Sequence, residues 1–291
     1  MQPLLLKIDS NVQHSFQMRK AKRAYFYSTW HYHEELELTL ILKSNGTRFV
    51  GDSIQQFSAG DLVLIGENTP HVWKNSDSYY LESSTETAEA IVIHFRKNFA
   101  GADFLSMPEM SKIKNLINEA KRGLCFKGEA LTLLTGKIES MVDKSPFDQI
   151  LGLLEILNDM ANTQDYKALS SQGFATSFSS TNGKQINAVY EYIIENFRSE
   201  ITIEKVSAIA HMTSTAFCRF FKNRSRKTFT QFLNEIRISF ACRLLMEGKM
   251  DVAQVCFESG YNNLSYFNRQ FKIIKKETPS SYRDKHKPSV I

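Results

Sequence analysis

The residues best equipped for chemistry lie in a short run, His31-Tyr-His-Glu-Glu-Leu-Glu37, with His71 and Asn75 further along the chain. Alternate positions on a strand place His31 and His33 on one face. Three imidazoles and a carboxylate, His31, His33, His71 and Glu37, form a competent donor set for Mn, Fe, Ni or Zn. The same polar groups, with Trp30, Tyr32 and Trp73 as stacking surfaces, would equally line a pocket for a small organic effector. Both chemistries are open at this point: a divalent transition metal on His31, His33, Glu37 and His71, or an effector held by Trp30, His31, His33, Glu37, His71 and Trp73. His14, His94, His211 and His286 belong to no such constellation and read as ordinary surface or core histidines.

A second set of residues points to nucleic acid. Residues 251–272 read as a short helix, a tight turn at Gly260 and a second helix capped by Asn263, the pattern of a helix-turn-helix. Gly260 supplies a positive φ, and the Asn263 side chain can accept from the free amides of the following helix. Residues 202–222 repeat the plan, with Thr202 and Thr213 as caps. Phe217-Cys-Arg-Phe-Phe-Lys222 and Phe267-Asn-Arg-Gln-Phe-Lys272 share one pattern, with Phe, Arg, Phe and Lys at matching positions.

The second unit resembles the last helix-turn-helix of the AraC family of transcription regulators. The matching positions are Val255, Cys256, Gly260, Tyr261, Phe267, Arg269, Phe271, Lys272, Thr278, Pro279, Tyr282 and Arg283. Position by position, the resemblance implies base reading by Thr215, Ala216 and Arg219 and by Leu264, Ser265, Asn268 and Arg269, with Lys222 and Lys272 beside them on the DNA. Arg pairs with the two acceptors of guanine and Asn with the adenine edge. The same arginines read equally well as phosphate contacts or helix braces. Arg226 and Lys276 stand where the family has glycine, and a left-handed backbone there would cost about 1 kcal/mol each.

The first set resembles the two motifs of the cupin barrel, carried by His31, His33, Glu37, His71 and Asn75, with Gly66 and Asn68 in place of the second motif's Pro and Gly. The expected fold class is α+β: an N-terminal cupin-like β-barrel with a helical dimerisation segment, then an all-α double helix-turn-helix domain. The expected boundaries are 1–98 for sensing, 99–168 for the dimerisation helices, 169–184 for a Ser/Thr-rich linker and 185–287 for DNA binding. The implied partners are double-stranded DNA, a small-molecule effector such as a sugar, RNA polymerase and a second copy of the chain, with no membrane and no catalytic residue. The competing class is a metal-dependent cupin enzyme fused to a DNA-binding domain.

These side chains need elements to hold them. Residues 25–95 alternate or run apolar between turn signals, as in an all-β sandwich or barrel. Helical periods follow at 108–117, 128–142 and 146–160, the last with an apolar stripe of Phe147, Ile150, Leu151, Leu154, Leu157 and Ala161. Between the two helix-turn-helix units, residues 231–247 read as one helix with Phe232, Ile236, Phe240, Leu244 and Leu245 inward. A chain of 291 residues with 42% hydrophobic content is long enough for two cores. After residue 183 there are 18 Lys and Arg against 10 Asp and Glu, a net of +8, whereas the preceding part carries −3. Positive charge concentrated on the helical part suits phosphate binding. No apolar run approaches the roughly 20 residues that span a bilayer and no signal-peptide core opens the chain, so a cytoplasmic protein is expected. Cys125, Cys218, Cys242 and Cys256 fall in helical patterns without paired spacing and read as reduced packing residues.

Overall fold

The computed structural model describes residues 4–5, 8, 15–26, 29–171, 174, 183–225 and 227–286. The chain divides into two compact units, one drawn from residues 4–53 and 57–175, the other mainly from residues 176–291. Most of the expected linker lies outside the described residues, as do His14 and Arg226. No helix among the described residues is long and apolar enough to cross a membrane.

The first unit is built on two sheets. Its strands are β1 (Leu4–Leu5), β2 (Phe16–Arg23), β3 (His31–Tyr32), β4 (Leu36–Lys43), β5 (Gly46–Val50), β6 (Ser53–Phe57), β7 (Leu62–Ile65), β8 (His71–Asn75), β9 (Ala88–Phe95), β10 (Leu124–Phe126) and β11 (Tyr166–Ala168). One sheet runs β1-β3-β8-β5-β6 and the other β11-β10-β7-β4-β9-β2. All described pairings are antiparallel except β1 with β3. The expected barrel is not closed: among the described residues no strand of one sheet pairs with a strand of the other.

Strand β4 is buried on both faces from Leu36 to Ile41. One face, with Leu36, Leu38 and Leu40, joins Leu62, Leu64, Ile91, Ile93 and Phe95 under a helical layer. The other turns Ile41, with Ala90, Val63 and Ile65, towards Val50, Phe57 and Trp73. Each fully buried Leu or Ile contributes about 1.5–3 kcal/mol, which makes the six-stranded sheet the mechanical centre of this unit.

The helical layer consists of α1 (Ser111–Glu119), α2 (Gly128–Met141) and α3 (Pro146–Asn162). Residues 108–110, expected as the first turn of a helix, form a 3-10 turn ahead of α1. Ser145 caps α3 by accepting from the Asp148 amide, and Pro146 fits the first turn, where its missing N–H costs nothing. The expected apolar stripe of α3 is only partly the one buried. Leu153, Ile156, Leu157 and Met160 face the core, while Phe147 is 69% and Leu151 44% exposed. The helix is apolar around more than half its girth, so periodicity alone leaves the choice of buried face to its neighbours. Cys125 lies on strand β10 rather than in a helix, and Cys218 is exposed; only Cys242 and Cys256 are buried packing residues.

The second unit is helical: α4 (Gly183–Asn196), α5 (Ile203–Ile209), α6 (Ser214–Ser225), α7 (Phe229–Glu247), α8 (Val252–Glu258), α9 (Leu264–Lys275) and α10 (Pro279–His286). Thr202, Thr228, Asp251 and Asn263 each cap a helix through the side chain, and Thr228 with Gln231 and Asp251 with Gln254 complete reciprocal capping boxes. As expected, Phe232, Ile236, Phe240, Leu244 and Leu245 of α7 are buried. Lys276 ends α9 with φ 64, the left-handed conformation for which the family uses glycine. The turn between α5 and α6 places exposed His211 at φ 55. His211→Gly is expected to raise thermal stability, by roughly 0.5–1 kcal/mol, because a Cβ is disfavoured there. Thermal melts of the purified chain check it, and an unchanged or lower melting temperature would contradict it.

Candidate functional site

Inside the sheet unit, register brings together residues remote in sequence. Strand β4 pairs with β9 so that Glu37 lies opposite His94 and Thr39 opposite Val92. Directly opposed residues share a face, so Glu37, Thr39, Val92 and His94 all turn away from the helical layer. They line a cavity of about 300 Å³, with His31 and Trp73 on its other side.

Glu37 is the hub. Its Oε2 accepts from Nε2 of His33 at 3.1 Å and of His94 at 2.9 Å, and lies 3.4 Å from Nε2 of His71. Its Oε1 accepts from the Thr39 hydroxyl at 2.6 Å. Three imidazoles are aimed from behind by the main chain: Nδ1 of His31 meets the Thr29 carbonyl at 2.8 Å, Nδ1 of His33 the Glu35 carbonyl at 3.0 Å and Nδ1 of His71 the Thr69 carbonyl at 2.7 Å. A carbonyl can only accept, so each Nδ1 carries a proton and each Nε2 is the inward atom. Metal-binding histidines are held in this way. The donor atoms of His31, His33, Glu37 and His71 lie within 4.8 Å of one another, all on buried residues. This set fits a divalent transition metal.

Burial dominates the electrostatics. It pushes the His31 imidazole down to about 3, helped by the neighbouring His71, and it lowers His94 against the pull of Glu37. Burial acts on His33 in the same sense, but the hydrogen bond to Glu37, its charge and the Glu35 carbonyl prevail and raise His33. For Glu37, burial would raise the carboxyl, yet the surrounding imidazoles hold it well below the usual carboxylate range. Neutral His31 therefore keeps an inward lone pair, and Glu37 is ionised.

His94, expected to be an ordinary histidine, is a member of this cluster. Its partner Glu37 is 57 residues away, so no local spacing reveals it; the available signal is its place beside Val92 on one face of β9. Trp73 lines the cavity, its ring edge-on to His71 at 5.6 Å, whereas Trp30 is buried in the core and is absent from the cavity wall. Asn75 braces the fold instead: its side chain accepts from the Phe26 amide at 2.7 Å and donates to the Asn45 carbonyl at 3.3 Å. Asn68, in the place of the motif's glycine, adopts φ 56, a conformation Asn tolerates better than most residues.

In the helical unit, α6 and α9 each bury aromatic residues and present a polar face. Phe217 and Phe221, and Phe267 and Phe271, are fully buried. Thr215, Arg219 and Lys222 are exposed on α6, with Ala216 half-buried; Leu264, Ser265, Asn268, Arg269 and Lys272 are all exposed on α9. Asn263 accepts from the Tyr266 amide at 2.8 Å, fixing where α9 begins. Sequence reading missed the network behind that helix. The Asn234 side chain of α7 donates to the Tyr266 hydroxyl at 3.0 Å and accepts from the Tyr261 hydroxyl at 2.9 Å. The Arg269 guanidinium lies 5.1 Å from the centre of the Tyr266 ring, so Tyr266 supports that side chain from one face.

Residues 206–285 match the family model described as a helix-turn-helix domain. The chain is 21% identical over 271 residues to YdeC, an uncharacterised HTH-type transcriptional regulator of Bacillus subtilis, covering 88% of this chain and 86% of that protein. It is 24% identical over 261 residues to the HTH-type transcriptional activator RhaR of Mannheimia succiniciproducens, covering 88% and 87%. Among solved structures, a probable AraC family transcriptional regulator from Rhodopseudomonas palustris is 27% identical, over 36% of this chain and 98% of that one, with a TM-score of 0.34. With its two capped helix-turn-helix units and the family's residues in place on the second, the chain belongs to the AraC family of DNA-binding transcription regulators.

Proposed function

We propose that this regulator reads one asymmetric duplex site with α6 and α9 together, and that a small-molecule effector in the sheet unit controls it. The observation that carries the DNA reading is the sidedness of α9: Leu264, Ser265, Asn268, Arg269 and Lys272 are exposed while Phe267 and Phe271 are buried. Thr215, Ala216, Arg219 and Lys222 are the corresponding set on α6. Helix α7 separates the two units with 19 residues, about 28 Å at 1.5 Å per residue, shorter than the roughly 34 Å between equivalent major-groove faces. The DNA bends to meet both helices, or one helix docks incompletely.

We assign residues 1–98, an opened cupin-type sandwich, to sensing, 99–168 to dimerisation and 185–287 to DNA binding. Exposed Phe147 and Leu151 on α3 support pairing with a second copy. A cytoplasmic protein working with RNA polymerase follows from the family role. The carbonyl-locked imidazoles favour a second reading of the cavity, in which His31, His33, Glu37 and His71 hold a divalent transition metal. A metal there would supply a Lewis-acidic anchor for an effector. The named relatives are regulators, which disfavours a metal-dependent enzyme fused to a DNA-binding domain.

The test starts from sites selected out of random duplex DNA. Arg269→Ala is expected to relax base preference in one part of the site at a cost of roughly 1–3 kcal/mol, while Lys272→Ala weakens all sequences about equally and lowers the salt dependence. Equal loss on specific and random duplex for Arg269→Ala would make it a phosphate contact. Failure of the intact protein to bind any selected duplex at low salt would overturn the DNA reading.

A further inference from the structure

Strand β2 lies at the edge of the six-stranded sheet, paired with β9 alone. Its alternation sends Phe16 and Met18 to the helix-covered core and Gln17, Arg19 and Arg23 to the cavity. Lys22, on the opposite face, is paired with Glu89 at 3.1 Å, but neither Arg19 nor Arg23 forms an ion pair among the described residues. No ion pair joins them to Glu37, the acid in the cavity wall. Both oxygens of Glu37 are already taken, by Thr39 on one side and by His33 and His94 on the other. Among the described residues, the wall therefore carries two exposed guanidinium groups that are in no ion pair.

Two further groups in the same wall lack partners. The indole Nε1 of Trp73, only a donor, is buried with no acceptor among the described residues, and Trp73 is 6% exposed. His94 gives its Nε2 proton to Glu37, which leaves its buried Nδ1 as an acceptor with no donor. Buried polar groups are seldom left so, because each costs its full desolvation. Phe26, Ile41 and Val92 supply apolar wall between these points, and the volume of about 300 Å³ lies at the small end of ligand pockets.

We propose that the effector is a small hydroxylated carboxylate. Its carboxylate pairs with Arg19 and Arg23, for which the guanidinium fork is suited; an oxygen accepts from Trp73 and a hydroxyl donates to His94. A neutral sugar satisfies the last two groups and leaves the arginines unpaired. The proposal rests on the cavity being the effector site. The shared chemistry fits a sugar acid or an aromatic hydroxy acid, and the test separates them.

Full-length protein is titrated by calorimetry with D-galacturonate against D-galactose, and with 4-hydroxybenzoate against 4-hydroxybenzamide. One acid is expected to bind at least about tenfold more tightly than its neutral counterpart, and which pair responds identifies the source. The double variant Arg19→Gln, Arg23→Gln should lose about tenfold or more in affinity for that acid, with its unliganded melting temperature unchanged. Lys20→Gln with Lys22→Gln, on the other face of β2, should bind as the unaltered protein does. Equal binding of acid and neutral partner, or full affinity in the Arg19 and Arg23 variant, overturns the carboxylate. If a neutral compound binds and Trp73→Ala abolishes it, the cavity remains an effector site and only the anion proposal falls. If none of the four compounds binds at millimolar concentration, the anion proposal falls, since two arginines in an effector pocket would take a simple carboxylate at that level.

Discussion

Gly260→Val is expected to destabilise the helical unit by about 3 kcal/mol or more and to abolish sequence-specific DNA binding. Two penalties add. Gly260 adopts φ 84, a region a β-branched residue rarely enters, and a Cβ placed there would lie 2.7 Å from the Phe197 carbonyl oxygen and 2.9 Å from Arg198 Cα. Those atoms are main chain and cannot swing aside. The turn they crowd sets the angle between α8 and α9, so relief of the clash would re-aim Leu264, Ser265, Asn268 and Arg269. Gly248 provides the internal control, since it has φ 68 and a Cβ added to it would meet no atom within 4 Å. Gly248→Ala should cost only about 1 kcal/mol. Thermal melts of the two variants, with binding to a selected duplex, decide the matter. If Gly260→Val melts where Gly248→Ala does and keeps its specificity, the close approach to Phe197 does not constrain the turn.

The second large effect is expected at the hub of the cavity. Glu37→Ala removes the carboxylate that compensates His33, whose two ring nitrogens both face acceptors and whose pKa is raised. Removing one partner of a buried pair costs about 3–5 kcal/mol, because the other is left charged and desolvated. Glu37→Gln should cost less, since the amide oxygen still accepts from one imidazole. The same variants bear on the metal. On the metal reading, protein purified without chelator or histidine tag carries near-stoichiometric metal by elemental analysis, lost on Glu37→Ala and on the double change His31→Ala, His71→Ala. Metal-free protein that still answers its effector would reject the metal and leave these groups as hydrogen-bonding partners in an organic pocket.

Much of the DNA-reading half was legible in the residues because its determinants are local. Asn263 caps three residues ahead of the amide it accepts from, Gly260 turns the chain in place, and Phe267 and Phe271 repeat at helical spacing. The grouping of His31, His33, Glu37 and His71 was likewise visible from strand alternation and motif spacing. Tertiary structure alone admitted His94 to that group and put Arg19 and Arg23 on the cavity wall. Period-two alternation assigns residues to two faces, but β4 is buried on both, so the pattern cannot say which face meets helices and which encloses a cavity. That choice depends on the register of β4 against β9 and of β9 against β2, pairings between segments dozens of residues apart. The buried side of α3 was settled similarly, by packing against α1 and α2, which left Phe147 and Leu151 exposed. Helix caps are bonds within a few residues and can be read in order along the chain; sheet faces become defined only when distant strands meet.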